Sequence, residues 1–271
     1  MLIRCGYDIR FETDMPTAMM ALLSIHPSRH HDLRTPQRLM TAPDIPLYQF
    51  EDRFGNVATR LTVPQGGVTL SCDFVIQDSG EPDRRIPDGR QTPVEDLPDD
   101  VLMFLLASRY CETDRLMDVA WAQFGHLTFA RDRVEAIVDF VHNHIEFGYP
   151  HARSDRTAWD GYQERRGVCR DFAHLAITLC RCMNIPARYC TGYLGDIGVP
   201  PVDAPMDFSA WFDVYVDGEW YTHDARHNRP RIGRVLMARG RDATDTALTT
   251  AFGRATLVQF DVHTDEVDGI G

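Results

Sequence analysis

The chain has 271 residues, 28 Lys and Arg against 40 Asp and Glu, a formal net charge of −12, 44% apolar and 25% charged residues. Those proportions are those of a globular protein with one large core or two ordinary ones. So acidic a chain argues against a nucleic-acid partner that is read through its phosphates. No run approaches the ~18 apolar residues of a membrane span, and "MLIRCGYDIRFETD" lacks the apolar core of a secretory signal. A cytoplasmic protein with no membrane partner is expected. Seven scattered cysteines, at 5, 72, 111, 169, 180, 182 and 190, suit reduced thiols in such a compartment. None of their spacings is that of a structural zinc site, and neither a metal nor a cofactor is implied.

Strands are predicted first. "LIRCGYDIRFET" alternates, "MMALLSIHP" is continuously apolar, "YQFEDRFGNVATRLTVP" turns at Phe54-Gly55-Asn56, and "GVTLSCDFVIQDS" alternates again. Residues 1–80 therefore read as an all-β, sandwich-like domain, whose exposed edge would suit pairing with a second copy as a homodimer. The Pro-, Gly- and charge-rich residues 81–96 read as a linker. From 97 to 271 the period becomes helical and then mixed, giving an α+β class for the whole chain. "DLPDDVLMFLLASRYC" and "DRLMDVAWAQFG" predict two helices, and "ARDRVEAIVDFVHNHIEFGY" a third, with Val134, Ile137, Val138, Val141 and Ile145 on one stripe.

In "GVCRDFAHLAITLCRCMNIP" the apolar residues Phe172, Leu175, Ala176, Leu179 and Met183 recur at helical spacing behind a Gly-Val turn. Cys169 stands in the first turn, where the partial positive charge of a helix N-terminus favours thiolate. Cys180, Cys182 and Cys190 read as small core fillers. Downstream, "DFSAWFDVYVDGEWYTHDARHN" predicts a hairpin with Asp217-Gly218 as a type I′ turn, pairing Val216 with Glu219. That register puts Ser209, Trp211 and Asp224 on one face and His223 on the other.

The helix that opens "GVCRDFAHLAITL" and the strand pair "SAWFDVYVDGEWYTHDARHN" together resemble the bacterial transglutaminase-like superfamily, whose members are commonly assigned as cysteine proteases. The resemblance covers residues ~97–260 and implies a papain-like α+β core, with the Cys169 helix packed on an antiparallel sheet. It also implies a peptide or protein substrate, a nucleophile at Cys169 and an orienting acid at Asp224. The family's histidine would stand directly before Ala210-Trp211, where this chain has Ser209. A hydroxyl cannot exchange protons at neutral pH as an imidazole does. His227, just past the strand, could fold back in its place. His174, His142 and His144 read as helix residues without catalytic work.

The loop "GDIGVPPVDAPMD" is placed to wall one side of the cleft, or is an ordinary connection. Trp211 reads as a substrate platform or as packing between sheet and helix. Two functions compete. One is a cysteine-dependent acyl-transfer enzyme, hydrolase or transamidase, with Ser209 holding a water or bonding Asp224. The other is a transglutaminase-like module retained to bind peptide or protein. A metal held by Cys169, Asp224 and a histidine has little support from spacing.

Overall fold

The computed structural model describes residues 1–88, 91–201 and 206–269. In chain order the strands and helices are β1 (Leu2–Glu12), β2 (Thr17–Ala21), β3 (Met40–Ala42), β4 (Tyr48–Glu51), β5 (Val57–Val63), β6 (Val68–Gln77), α1 (Asp99–Leu102), α2 (Thr113–Phe124) and α3 (Ala130–His144). There follow β7 (Glu146–Phe147), α4 (Ala158–Glu164), β8 (Arg166–Gly167), α5 (Cys169–Cys182), β9 (Ala187–Leu194), β10 (Ser209–Val216) and β11 (Glu219–His223). The chain closes with β12 (Arg234–Gly240), β13 (Thr249–Ala251) and β14 (Thr256–Val267).

The alternation read in β1 is its fold: Ile3, Cys5, Tyr7, Ile9 and Phe11 are buried while Arg4, Asp8, Arg10 and Glu12 are exposed. β6 repeats this with Val68, Leu70, Cys72, Phe74 and Ile76 inward. One sheet runs β14-β1-β6-β3 and a second β13-β2-β5-β4, with Met19, Leu61 and Val63 facing the same core. Here the layout differs from a division at 80 and 97. The last two strands return to the first module, β14 lying along the whole of β1 and β13 along β2. Without β14 and β13, the edges of β1 and β2 would expose a row of unpaired N–H and C=O groups. The stretch from 81 to 96 is not a free tether either. Asp83 is tied to Arg231 and Arg234, and Ile86 is buried in the helical core.

The third sheet, β11-β10-β9-β12, is antiparallel throughout. On one face lies α5, whose Leu175, Ala176 and Leu179 join Phe212, Val214 and Val216 in a core shared with α2 and α3. On the other, Tyr193, Val235 and Met237 belong to the sandwich core. β9 is therefore buried along its whole length. The fold is α+β, a strand-rich N-terminal region and a helix-on-sheet region pressed on a common sheet. The segment 96–111 is shorter in helix than its pattern predicts, with only α1 and one 3₁₀ turn, Met103–Leu105. The hairpin keeps the predicted register, Val216 opposite Glu219, with Asp217 and Gly218 both at positive φ.

Three histidines are enclosed by this packing. Burial pushes His26 and His223 down to about 4 and His174, packed between Tyr110 and Tyr189, down to about 3. Unfolded histidine titrates near ~6.5, so on acidification the unfolded chain takes up protons first. Stability is complete above that value and is lost as pH falls toward the folded values. Urea unfolding should therefore show stability declining between pH ~6.5 and ~5, before most carboxylates titrate, and His174→Gln should flatten the slope. A level profile across that interval would contradict this account.

Candidate active site

The cleft lies at one end of the third sheet, where β10 begins, β11 ends and α5 starts. Three local features fix the start of α5. Asp171, at the third helical position, accepts the Val168 N–H at 2.9 Å and the Arg156 guanidinium at 3.0 Å. Gly167 is required beside it, because a Cβ there would sit 2.6 Å from the Asp171 carboxylate. Cys169 then occupies the first helical position, half-buried, with an N–H that has no acceptor inside the helix.

Asp224 follows β11 and is buried. Its Oδ1 accepts the backbone N–H groups of Arg226 and His227 at 3.0 and 3.1 Å, folding the chain back on itself. Its Oδ2 lies 2.9 Å from His227 Nδ1 and 3.1 Å from Arg234 Nη2. Burial alone would raise this acid, yet the His227 hydrogen bond and the Arg234 charge hold it well below the usual carboxylate range. An ionised carboxylate only accepts, so His227 Nδ1 is the donor, and in the neutral tautomer this selects Nε2 is the acceptor. From α3, His142 Nδ1 donates to the carbonyls of Ala225 and Arg226 at 3.1 and 3.0 Å. Asp139 on the same helix accepts from Asn228 at 2.7 Å. The turn 224–228 is thus tied at both ends.

Cys169, Ser209 and His227 line one narrow cleft of about 50 Å³, together with Tyr149, Asp207 and Arg226. A roomier cavity of about 250 Å³ opens between α3, the 83–86 stretch and the far side of Asp224, and Cys169 is no part of it. The narrow cleft is the candidate site, because it brings the Cys169 thiol at the start of α5 together with the His227 imidazole. The thiol is not the poised thiolate that its helix-start position predicts. Burial pushes it up to about 11, with Asp207 and Asp224 adding to the rise, while Arg226 and the Ala210 N–H pull the other way. At neutral pH the resting group is a thiol.

The predicted residues separate accordingly. Cys169 and Ser209 meet in the cleft, and Asp224 reaches it through His227. Trp211 does not line it: the indole is buried, with the Arg234 guanidinium 4.9 Å from its ring centre. The loop 195–207 supplies Asp196, Met206 and Asp207 to the cleft, and its residues 202–205 lie outside the described residues. Among the described residues no group of three His, Cys, Asp or Glu is arranged to hold a metal. Arg226, Asp207, Arg231 and Arg234 were missed by sequence reasoning. Only Arg226 carried a signal, its place beside His227 in "DARHN".

Arg234 deserves a test of its own. It is buried and bridges two carboxylates, Asp83 at 3.0 Å and Asp224 at 3.1 Å. Arg234→Met would take the guanidinium from both, at a cost of roughly 3–5 kcal/mol in urea unfolding. Arg10→Met, which removes an exposed pair with Glu12, should cost ~0–1 kcal/mol. Equal effects would show that the buried bridge is not structurally important.

Comparison with known proteins agrees with this architecture. Residues 122–225 match the model of the Transglutaminase-like superfamily. A crystal structure described as "a Putative Cysteine Protease from Cytophaga hutchinsonii" matches 100% of this chain and 92% of its own, with a TM-score of 0.84 and 31% identity. An uncharacterized protein of Mycobacterium leprae is 26% identical over 223 residues, 78% of this chain and 77% of that one. One of Mycobacterium tuberculosis is 26% identical over 217 residues, 72% and 68% of the two chains. Among the described residues no helix is long and apolar enough to cross a membrane. With residues 122–225 matching the family model and the whole chain matching a solved structure at 31% identity, the chain belongs to the transglutaminase-like superfamily.

Proposed function

We propose that this protein is a cysteine-dependent acyl-transfer enzyme acting on amide or peptide bonds, with Cys169 as nucleophile, His227 as base and Asp224 as the acid that orients it. The observation that carries this reading is the 2.9 Å contact between His227 Nδ1 and Asp224 in the cleft that also holds Cys169. It supplies from the far end of the hairpin the imidazole absent at Ser209.

Because the resting thiol is protonated, proton removal accompanies attack. His227 Nε2 takes the thiol proton as Sγ bonds to the carbonyl carbon. The oxygen that gains charge is met by the Cys169 N–H at the positive end of α5. As the C–N bond breaks, His227 returns the proton to the leaving amine, and a thioester remains for water or a second amine. Asp224 stays ionised and fixes the ring through its Nδ1–H. Ser209, at the head of β10, contributes a hydroxyl to the wall and no base. The seven free thiols support a reducing, cytoplasmic setting.

The thiol held at about 11 also favours a second reading, a peptide- or protein-binding module that no longer performs chemistry. One generic acyl donor separates the two. With p-nitrophenyl acetate at pH 7.5, mass mapping should find the acetyl group on Cys169, and Cys169→Ala should abolish it. His227→Ala should slow acylation by ~10²–10⁴-fold, while Ser209→Ala should stay within about threefold, since a hydroxyl performs no proton transfer here. No acylation would leave the binding module standing, and a Ser209→Ala loss matching that of His227→Ala would return the role to the serine.

A further inference from the structure

The cleft contains more fixed charge than proton transfer needs. Arg226 follows the orienting acid and its guanidinium lies 3.8 Å from the centre of the Phe147 ring. It is the foremost charge favouring ionised sulfur at Cys169. Among the described residues no carboxylate is hydrogen-bonded to it. Arg231 lines the same cleft although it is 3% exposed. Its Nη2 donates to the Gly195 carbonyl at 2.8 Å, and its Nε is buried with no acceptor. Burial lowers Arg231, which measures the strain of keeping a guanidinium charged there.

Opposing charges are present and must be weighed. Asp196 faces Arg231, and Asp207 faces both Arg226 and the sulfur. Asp207 is raised by burial and accepts from the Phe208 N–H, so it is the weaker anion of the set. Two guanidiniums stay charged at every working pH. An incompletely bonded, buried guanidinium in the wall of a cleft is satisfied when a planar carboxylate arrives with two oxygens.

We infer that Arg226 and Arg231 form a carboxylate-recognising subsite beside Cys169, so that the acyl donor is an amide or peptide bearing a carboxylate close to its reacting carbonyl. The inference rests on the reading of Cys169 as nucleophile. The carboxylate belongs either to an acidic side chain or to a chain terminus, and both present the same planar anion to the two guanidiniums.

Paired alkylation tests the subsite without any turnover. Iodoacetate and iodoacetamide attack the same thiolate and differ in charge, so the ratio of their rates cancels the fraction ionised. On the full chain at pH 7.5, with peptide mapping to isolate Cys169, the iodoacetate-to-iodoacetamide ratio should exceed that of free cysteine by about tenfold. Arg226→Gln should return it to within about twofold of free cysteine, because the attracting charge is gone. Arg231→Gln should do the same, and Arg226→Gln suffices if that buried change prevents folding. A ratio at or below that of free cysteine would overturn the subsite. Silence toward both reagents would remove the nucleophile reading, and this inference with it. Protection of Cys169 by N-acetylglutamate α-amide assigns the carboxylate to a side chain, and protection by N-acetylalanine to a chain end. Protection by neither at millimolar concentration would also overturn the inference.

Discussion

Three buried charges, Asp83, Arg234 and Asp224, continue into the His227 imidazole and tie the stretch before α1 to residues 224–234, with 151 positions between Asp83 and Arg234. Arg234 Nε lies 3.1 and 3.0 Å from the two Asp83 oxygens, and its Nη2 reaches Asp224. Desolvating so many charges is costly, and Coulomb attraction alone does not reliably offset it. Asp224 is further stabilised by the two N–H groups of its own turn, which saturate Oδ1 and leave Oδ2 for the arginine and the imidazole. The imidazole is the last member of the run and the only one that opens to the cleft. Asp83, a residue of the stretch between the two regions, thus helps to hold the imidazole's partner Asp224 through Arg234.

The sandwich bears on the cleft in the same way. Phe208, the residue before Ser209, is buried edge-on against Tyr7, Tyr193 and Phe260. Tyr7 lies on β1, Tyr193 on β9 and Phe260 on β14. Edge-to-face pairs of this kind contribute about 0.5–1.5 kcal/mol each beyond their buried area. They pin the point where the chain leaves the 195–207 loop and enters β10, which fixes the Ala210 N–H against the sulfur. The return of β14 to β1 is thus connected to the geometry of the cleft through one aromatic side chain.

Much of this was legible in the sequence because it is local. Period-2 alternation gave β1 and β6, the Asp-Gly turn gave the hairpin register, and the helix stripe of α3 is buried as read. Cys169, Ser209 and Asp224 could be placed because each sits at a fixed offset from a turn or helix start. Arg231 and Arg234 could not, since an arginine in "RPRIGRVL" has the same local signature whether its partner is water or a carboxylate 151 residues away. β14 was missed for a related reason. Its face is largely exposed, so "TLVQFDVHTDEV" lacks a clean apolar alternation, and its pairing with β1 is a long-range choice. His227 was legible as a loop histidine, but its bond to Asp224 depends on the turn 224–228 that α3 ties down.

The thiol illustrates a competition of magnitudes that sequence position alone decides wrongly. A helix N-terminus favours a negative group by about 0.3–1 kcal/mol when exposed, and up to ~2 when partly buried. Raising the group from 9.0 to about 11 corresponds to roughly 3 kcal/mol against ionisation. Enclosure by Asp207, Phe208 and the head of β10 therefore outweighs the dipole and the Arg226 charge together. A cysteine kept protonated until an acyl group arrives is protected from oxidation, because the thiolate is the form that oxidants attack. In the proposed mechanism it also makes the base indispensable. Were sulfur already ionised, an orienting acid without its imidazole could still support attack. With sulfur protonated, the proposed mechanism needs an imidazole that position 209 does not provide, and the turn 224–228 holds that of His227 on Asp224.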